Sequence, residues 1–145
     1  MAKKVMNSSF LTMLKNKLDT ADRILITSHV RPDGDAVGSL LGLGHALKDM
    51  GKQVNLVLED GVPAIFHHLP GSDEIYKKPI GVYDLAIVLD CSDISRVGSV
   101  LDDYGQADVN IDHHPTNTHF AYLNFVDVKA VATAEMLVDM FSELS

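Results

Sequence analysis

Apolar and polar positions along this chain switch repeatedly between a helical period and short, continuously apolar runs. From about Ser8 to Leu18 the residues Phe10, Leu11, Leu14 and Leu18 recur at helical spacing, with Ser8 or Ser9 available to cap the start. Arg23-Ile24-Leu25-Ile26-Thr27-Ser28 is short, β-branched and apolar, which predicts a buried strand. Ala36 to Met50 returns to a broad apolar helical face, and Gly51 stands where a C-terminal cap belongs. Val54 to Leu58 is a second strand, and a short helical turn follows over Ala64 to His68 before Pro70-Gly71. Leu85 to Leu89 is the most apolar strand. A helix is expected near Ser95 to Tyr104, a strand at Val109 to Ile111, an extended piece at Ala121 to Phe125, and a last helix from Ala130 to Phe141.

Strands that are apolar throughout and alternate with helices predict an α/β fold: a mainly parallel, Rossmann-like sheet with helices on both faces. With 145 residues and 46% hydrophobic content the chain is expected to form one domain. Its longest apolar runs fall far short of the roughly 20 residues that span a bilayer, and Met1-Ala2-Lys3-Lys4 leads into an amphipathic segment without a secretory core. One cysteine, Cys91, permits neither an internal disulfide nor a Cys-rich zinc site. A cytoplasmic, non-membrane protein is the expectation.

The formal charge of −8, with its basic residues scattered, argues against gripping long nucleic acid through its phosphates. An acidic chain acting on phosphate esters needs positive charge at its site, and divalent cations supply it.

Carboxylates and imidazoles that suit such cations occur at three strand ends. His29, Asp33 and Asp35 follow the first strand, Asp90 closes Leu85 to Leu89, and Asp112-His113-His114 closes Val109 to Ile111. Each alone reads more simply as a helix cap, a turn or a solvated loop. Open parallel sheets, however, bind ligands beyond the carboxyl ends of their strands, and three such sets in that position point to one crevice. Asp33 and Asp35, two residues apart, can serve different metals, and Asp90 can bridge them. Oxygen and imidazole donors without thiolate suit Mn²⁺ or Mg²⁺ better than a structural zinc, while ligand type alone leaves Zn²⁺ and Fe²⁺ open. Two such cations about 3.5–4 Å apart hydrolyse phosphoesters. The helix from Ala36 offers its N-terminus to a phosphate, with Ser39 and Arg31 as candidate substrate contacts. His45, His67, His68 and His119 are read as solvated or packing residues.

His29-x-x-x-Asp33-x-Asp35 with Ala36-Val37-Gly38-Ser39, then Val88-Leu89-Asp90-Cys91-Ser92-Asp93, then Asp112-His113-His114-Pro115 resemble the first three motifs of the DHH phosphoesterases, in order, from about Arg23 onward. The subgroup most resembled is the bifunctional oligoribonuclease and pAp phosphatase enzymes, which are similar to cyclic-di-AMP phosphodiesterases. The resemblance implies Mn²⁺ dependence, with Mg²⁺ as the substitute, and short oligoribonucleotides, pAp or cyclic dinucleotides as substrates. It implies His29 and Asp33 on one metal, Asp35 and His113 on the other, and Asp90 between them. His114 would lie near the scissile phosphate and Asp112 would orient the histidine pair, while Arg96 holds a structural place.

The family's fourth motif and its glycine-rich, His-containing C-terminal DHH-associated domain find no match before Ser145. The expectation is therefore a shortened DHH-type domain with a weakened second metal site and slow or absent turnover, whose exposed C-terminal surface permits a homodimer. Inorganic pyrophosphatase chemistry of the same family and a non-catalytic nucleotide-binding module are the alternatives.

Overall fold

The computed structural model describes residues 7–144, so the reading of Met1–Lys4 lies outside the described residues. Helix α1 (Ser8–Thr20) is capped by Asn7, not by Ser8 or Ser9: the Asn7 side chain accepts the Phe10 N–H, which places the helix start one residue earlier. Then follow β1 (Arg23–Thr27), α2 (Gly34–Asp49), β2 (Gln53–Val57), β3 (Ile75–Tyr76), β4 (Leu85–Leu89), β5 (Val109–Asp112), β6 (Leu123–Val126) and α3 (Thr133–Leu144). Short 3₁₀ turns occupy Ala64–Phe66, Ser72–Glu74 and Ile94–Val97. Among the described residues no helix is long and apolar enough to cross a membrane.

All six strands are parallel, in the order β3-β2-β1-β4-β5-β6. The chain begins mid-sheet at β1, runs outward to β3, and then crosses back to lay β4, β5 and β6 on the other side. The loops after β1 and β4 therefore diverge to opposite sides, which opens a crevice above those neighbouring strands.

The α/β architecture is as expected, but the two faces are covered unequally. Alternate strand residues Ile24, Ile26, Leu56, Ile87, Leu89 and Ile111 join one core with the apolar faces of α1, α2 and α3. Phe10 of α1 meets Phe125 of β6 with ring centroids 5.2 Å apart. On the opposite face Leu25, Val57, Ala86 and Val88 pack under Val97, Val100 and Leu101.

That second cover is not the helix predicted for Ser95 to Tyr104. It is the turn Ile94–Val97, broken at Gly98, whose φ of 74° and ψ of −139° belong to no helix. The last helix also starts later than its apolar spacing suggested, at Thr133 and not Ala130. The N–H groups of Thr133 and Ala134 are instead directed to a distant carboxylate.

Candidate metal centre

The three polar clusters sit at the ends of neighbouring strands: His29 follows β1, Asp90 follows β4, and Asp112 ends β5. Adjacent parallel strands end side by side, so strand order alone brings the clusters together. The strand ends are fastened to one another, with the Ser28 hydroxyl donating to the Leu89 carbonyl at 2.6 Å and the Asp90 N–H to the Ile111 carbonyl at 2.9 Å.

Asp90 lies at the centre. Its φ of 56° is left-handed, a conformation disfavoured for residues with a Cβ but tolerated best by Asp and Asn. That twist turns the carboxylate inward, where the residue is 1% exposed. Oδ1 accepts the Thr133 hydroxyl at 3.1 Å and lies 3.3 Å from His113 Nε2. Oδ2 is buried without a hydrogen-bond partner, although His29 Nε2 is 3.4 Å away. Burial raises the Asp90 pKa, His29 opposes that rise, and the charges of Asp35 and Asp33 add to it.

The tautomer of His29 follows from its neighbours. Nδ1 lies 2.7 Å from the Val30 carbonyl, which can only accept, so Nδ1 carries the proton. Neutral His29 then presents the lone pair of Nε2 to Asp90 Oδ2 and, at 3.9 Å, to Asp33 Oδ1. Three lone pairs facing one point repel unless a positive charge lies among them. In the absence of a cation that charge is a proton, and the Asp90 carboxylate accordingly raises the His29 pKa against the effect of burial.

His113 Nε2 repeats the arrangement on the other side, 3.3 Å from Asp90 Oδ1 and 3.4 Å from Asp35 Oδ2. Ligand atoms of His29, Asp33 and Asp90 lie within 4.8 Å of one another, as do those of Asp90, His113 and His114. Two ligands at right angles around a small divalent cation are about 3 Å apart, given metal–oxygen bonds of 2.0–2.1 Å. The donor set and its spacing therefore fit a cation on each side of Asp90.

Asp35 is held by α3. Its Oδ1 accepts from Ala134 N–H at 3.0 Å and from Ser39 Oγ at 3.2 Å, and its Oδ2 accepts from Thr133 N–H at 2.9 Å. Desolvation works to raise its pKa, but the two N–H groups outweigh this and the pKa is lowered. The expectations for two neighbours of Asp35 need correction. Ser39, a candidate substrate contact, is 1% exposed and points to Asp35 because it lies on the buried face of α2. The N-terminus of α2 is itself occupied, since Asp33 Oδ1 caps Ala36 N–H at 3.0 Å. Arg31 is exposed at the loop, its backbone N–H on Asp60.

Asp112, fully buried, binds His114 Nδ1 through Oδ1 at 2.6 Å and Asn117 Nδ2 through Oδ2 at 2.8 Å. Asn117 is in turn tied to the buried Asn110 at 2.8 Å. His114 joins the Asp90 group and also contacts the His113 ring, centroids 4.5 Å apart. Arg96 contributes its backbone carbonyl, which accepts the Val30 N–H at 2.6 Å and ties the 3₁₀ turn to the His29 loop.

A model of the DHH family, N-terminal domain, matches residues 23–145. The chain belongs to the DHH family. Its DHH domain is 40% identical over 126 residues to the bifunctional oligoribonuclease and PAP phosphatase NrnA of Thermus thermophilus, a match covering 83% of this chain and 37% of that protein. It is 33% identical over 144 residues to the NrnA of Mycoplasma genitalium, covering 93% of this chain and 44% of that one. A solved exopolyphosphatase-related protein from Bacteroides fragilis superposes with a TM-score of 0.88 at 27% identity, over 99% of this chain and 46% of that one. The chain thus spans less than half the length of these relatives.

The DHH domain also contains residues absent from the sequence-based list of site residues. Thr133 and Asn117 contact the central carboxylates, yet each is an unremarkable Thr or Asn in the sequence. The only hint for Thr133 is its place as a helix-start residue ahead of Ala134-Glu135.

Proposed function

We propose that this domain is the cation-holding part of a phosphoesterase that cleaves short oligoribonucleotides and pAp. The observation that carries the proposal is the buried Asp90 Oδ2 without a hydrogen-bond partner, with His29 and His113 facing the two oxygens of that carboxylate and Asp33 and Asp35 each beside one of those imidazoles. His29, Asp33 and Asp90 would hold one divalent cation, and Asp35, His113 and Asp90 the other. Mn²⁺, with Mg²⁺ as the substitute, is the cation proposed for this set of carboxylates and imidazoles, which it suits without being selected by donor type alone. When bound, such a pair supplies a nucleophile from water and neutralises phosphate charge.

The protein's own contribution is positional and protonic. Asp112 fixes the His114 ring by its Nδ1–H, which leaves Nε2 for the substrate; in the doubly protonated ring Nε2–H can donate to a phosphate oxygen or give its proton to the departing one, and in the neutral ring Nε2 accepts. Asp112 is buried with both oxygens engaged, by His114 and Asn117, which keeps its carboxylate from rearranging. Arg31, on the exposed loop, is suited to an outer phosphate of the substrate. Cyclic dinucleotides present the same bond. A cytoplasmic setting suits the single, buried thiol.

Calorimetric titration of the chain with Mn²⁺, followed by phosphate release from pAp, tests this. Cation binding that is lost in Asp90→Ala, with pAp preferred over pyrophosphate, is the expected result. Absence of any divalent cation binding would sink the proposal, and preference for pyrophosphate would redirect it to the pyrophosphatase alternative.

A further inference from the structure

The N-terminus of α3 reaches the centre of the site from a distant part of the chain, and all its polar contacts there go to two carboxylates. The Thr133 hydroxyl donates to Asp90 Oδ1 at 3.1 Å, while its backbone N–H and that of Ala134 hold the two oxygens of Asp35. Thr133 is fully buried, so its hydroxyl has no access to water as an alternative partner.

We propose that Thr133 is a positioning residue for the cation site. A carboxylate as short as that of Asp90 can rotate about its last bond, and either oxygen can then face either histidine. The hydroxyl removes that freedom. It takes one lone pair of Oδ1 from the α3 side and leaves Oδ2 directed at His29, so that each oxygen of the bridging carboxylate faces its own imidazole. Because the same residue's N–H grips Asp35, a single helix start sets the orientation of two of the proposed ligands together. Outer hydrogen-bond partners of this kind raise metal affinity by fixing ligands in advance of binding.

This rests on the two-cation site proposed above, and the test separates the two. Thr133→Val removes the hydroxyl and keeps the shape, whereas Thr133→Ser keeps the hydroxyl. Mn²⁺ affinity is measured by calorimetry on the 145-residue chain, and the folding of each variant is checked by thermal melting in EDTA. The expected result is affinity in the Val variant about 10–100-fold weaker than wild type, with the Ser variant close to wild type. A role only in packing would lower the melting temperature of Thr133→Val and leave the affinity of the folded protein unchanged; that outcome, or a Ser variant as weak as Val, overturns the assignment of Thr133 while wild-type binding preserves the cation site. If wild type binds neither Mn²⁺ nor Mg²⁺, the site itself falls and this assignment with it.

Discussion

Asp112 accepts from two side chains at once, His114 through Oδ1 at 2.6 Å and Asn117 through Oδ2 at 2.8 Å, in a fully buried setting. An amide cannot reproduce that pair. In Asp112→Asn one side becomes an NH₂ group, which must face either the Asn117 amide donor or the His114 ring nitrogen. If it faces Asn117, two donors confront each other; if it faces His114, the ring must turn over its tautomer. The expected result is a loss of about 1–3 kcal/mol in stability and a fall in the rate of pAp cleavage on the order of 100-fold. Mn²⁺ affinity should move only a few-fold, because Asp112 is not among the residues proposed to hold the cation. Urea melts and a single-turnover assay check both, and an unchanged rate would remove the orienting role of Asp112.

Asp90 carries a conflict between folding and function. Its charge is buried and its Oδ2 has no hydrogen-bond partner, so the metal-free protein bears a desolvation cost that a cation would relieve. Asp90→Asn keeps the size and tolerates the left-handed φ of 56°. In EDTA, and the more so as pH rises and His29 loses its proton, the variant should melt higher than wild type, by a few degrees for about 1 kcal/mol. It should gain no stability from added Mn²⁺, whereas wild type should. A variant that melts lower in EDTA and still responds to Mn²⁺ would contradict both halves.

That the clusters at His29 to Asp35, at Asp90 and at Asp112 to His114 meet in space was legible because each cluster comes after a run of apolar residues, and the ends of neighbouring parallel strands lie side by side. The architecture was legible for the same reason: strands such as Leu85 to Leu89 are apolar on both faces. Thr133 was not, since its contact with Asp90 spans 43 residues and depends on where α3 docks, which no local pattern encodes. Asn117 escaped in the same way. Ser39 was misjudged because a serine in a first helical turn looks accessible, whereas the face it lies on is packed against the sheet. The helix expected at Ser95 to Tyr104 failed on Gly98, whose backbone is set by its surroundings and not by the apolar spacing around it.

Gly98 gives a prediction of its own. Its φ of 74° with ψ of −139° is open to glycine and costly for any residue with a Cβ, and a Cβ built there would collide with the Glu59 carboxylate. If the Glu59 carboxylate swings away it gives up the bonds it accepts from the Ser99 N–H at 2.8 Å and the Ser99 hydroxyl at 2.7 Å. Gly98→Ala should therefore cost about 1–3 kcal/mol from the backbone alone. The loss should appear in chemical melts with an unchanged denaturant slope, and Mn²⁺ affinity of the folded protein should be retained. A neutral substitution would mean that the turn after Val97 adopts another shape.

The pH dependence of stability should reverse sign when a cation is added. His29 has a folded pKa raised above its ordinary 6.5 by the Asp90 carboxylate. The contribution of a group so shifted is fully present below the unfolded pKa and disappears as pH rises through the folded one. Metal-free protein should accordingly melt higher at about pH 6 than at about pH 8.5, and the raised pKa of the buried Asp90 acts in the same direction. A cation requires the unprotonated imidazole of His29, so protons compete with it and the stabilisation by saturating Mn²⁺ should grow over the same interval. His29→Gln removes the titrating group, and subtracting its melting curve from that of wild type isolates the contribution of His29 from other groups that titrate in the range. If wild type and His29→Gln show the same pH slope in EDTA, His29 is not held protonated by Asp90, and the lone-pair argument that places a cation between them loses its support.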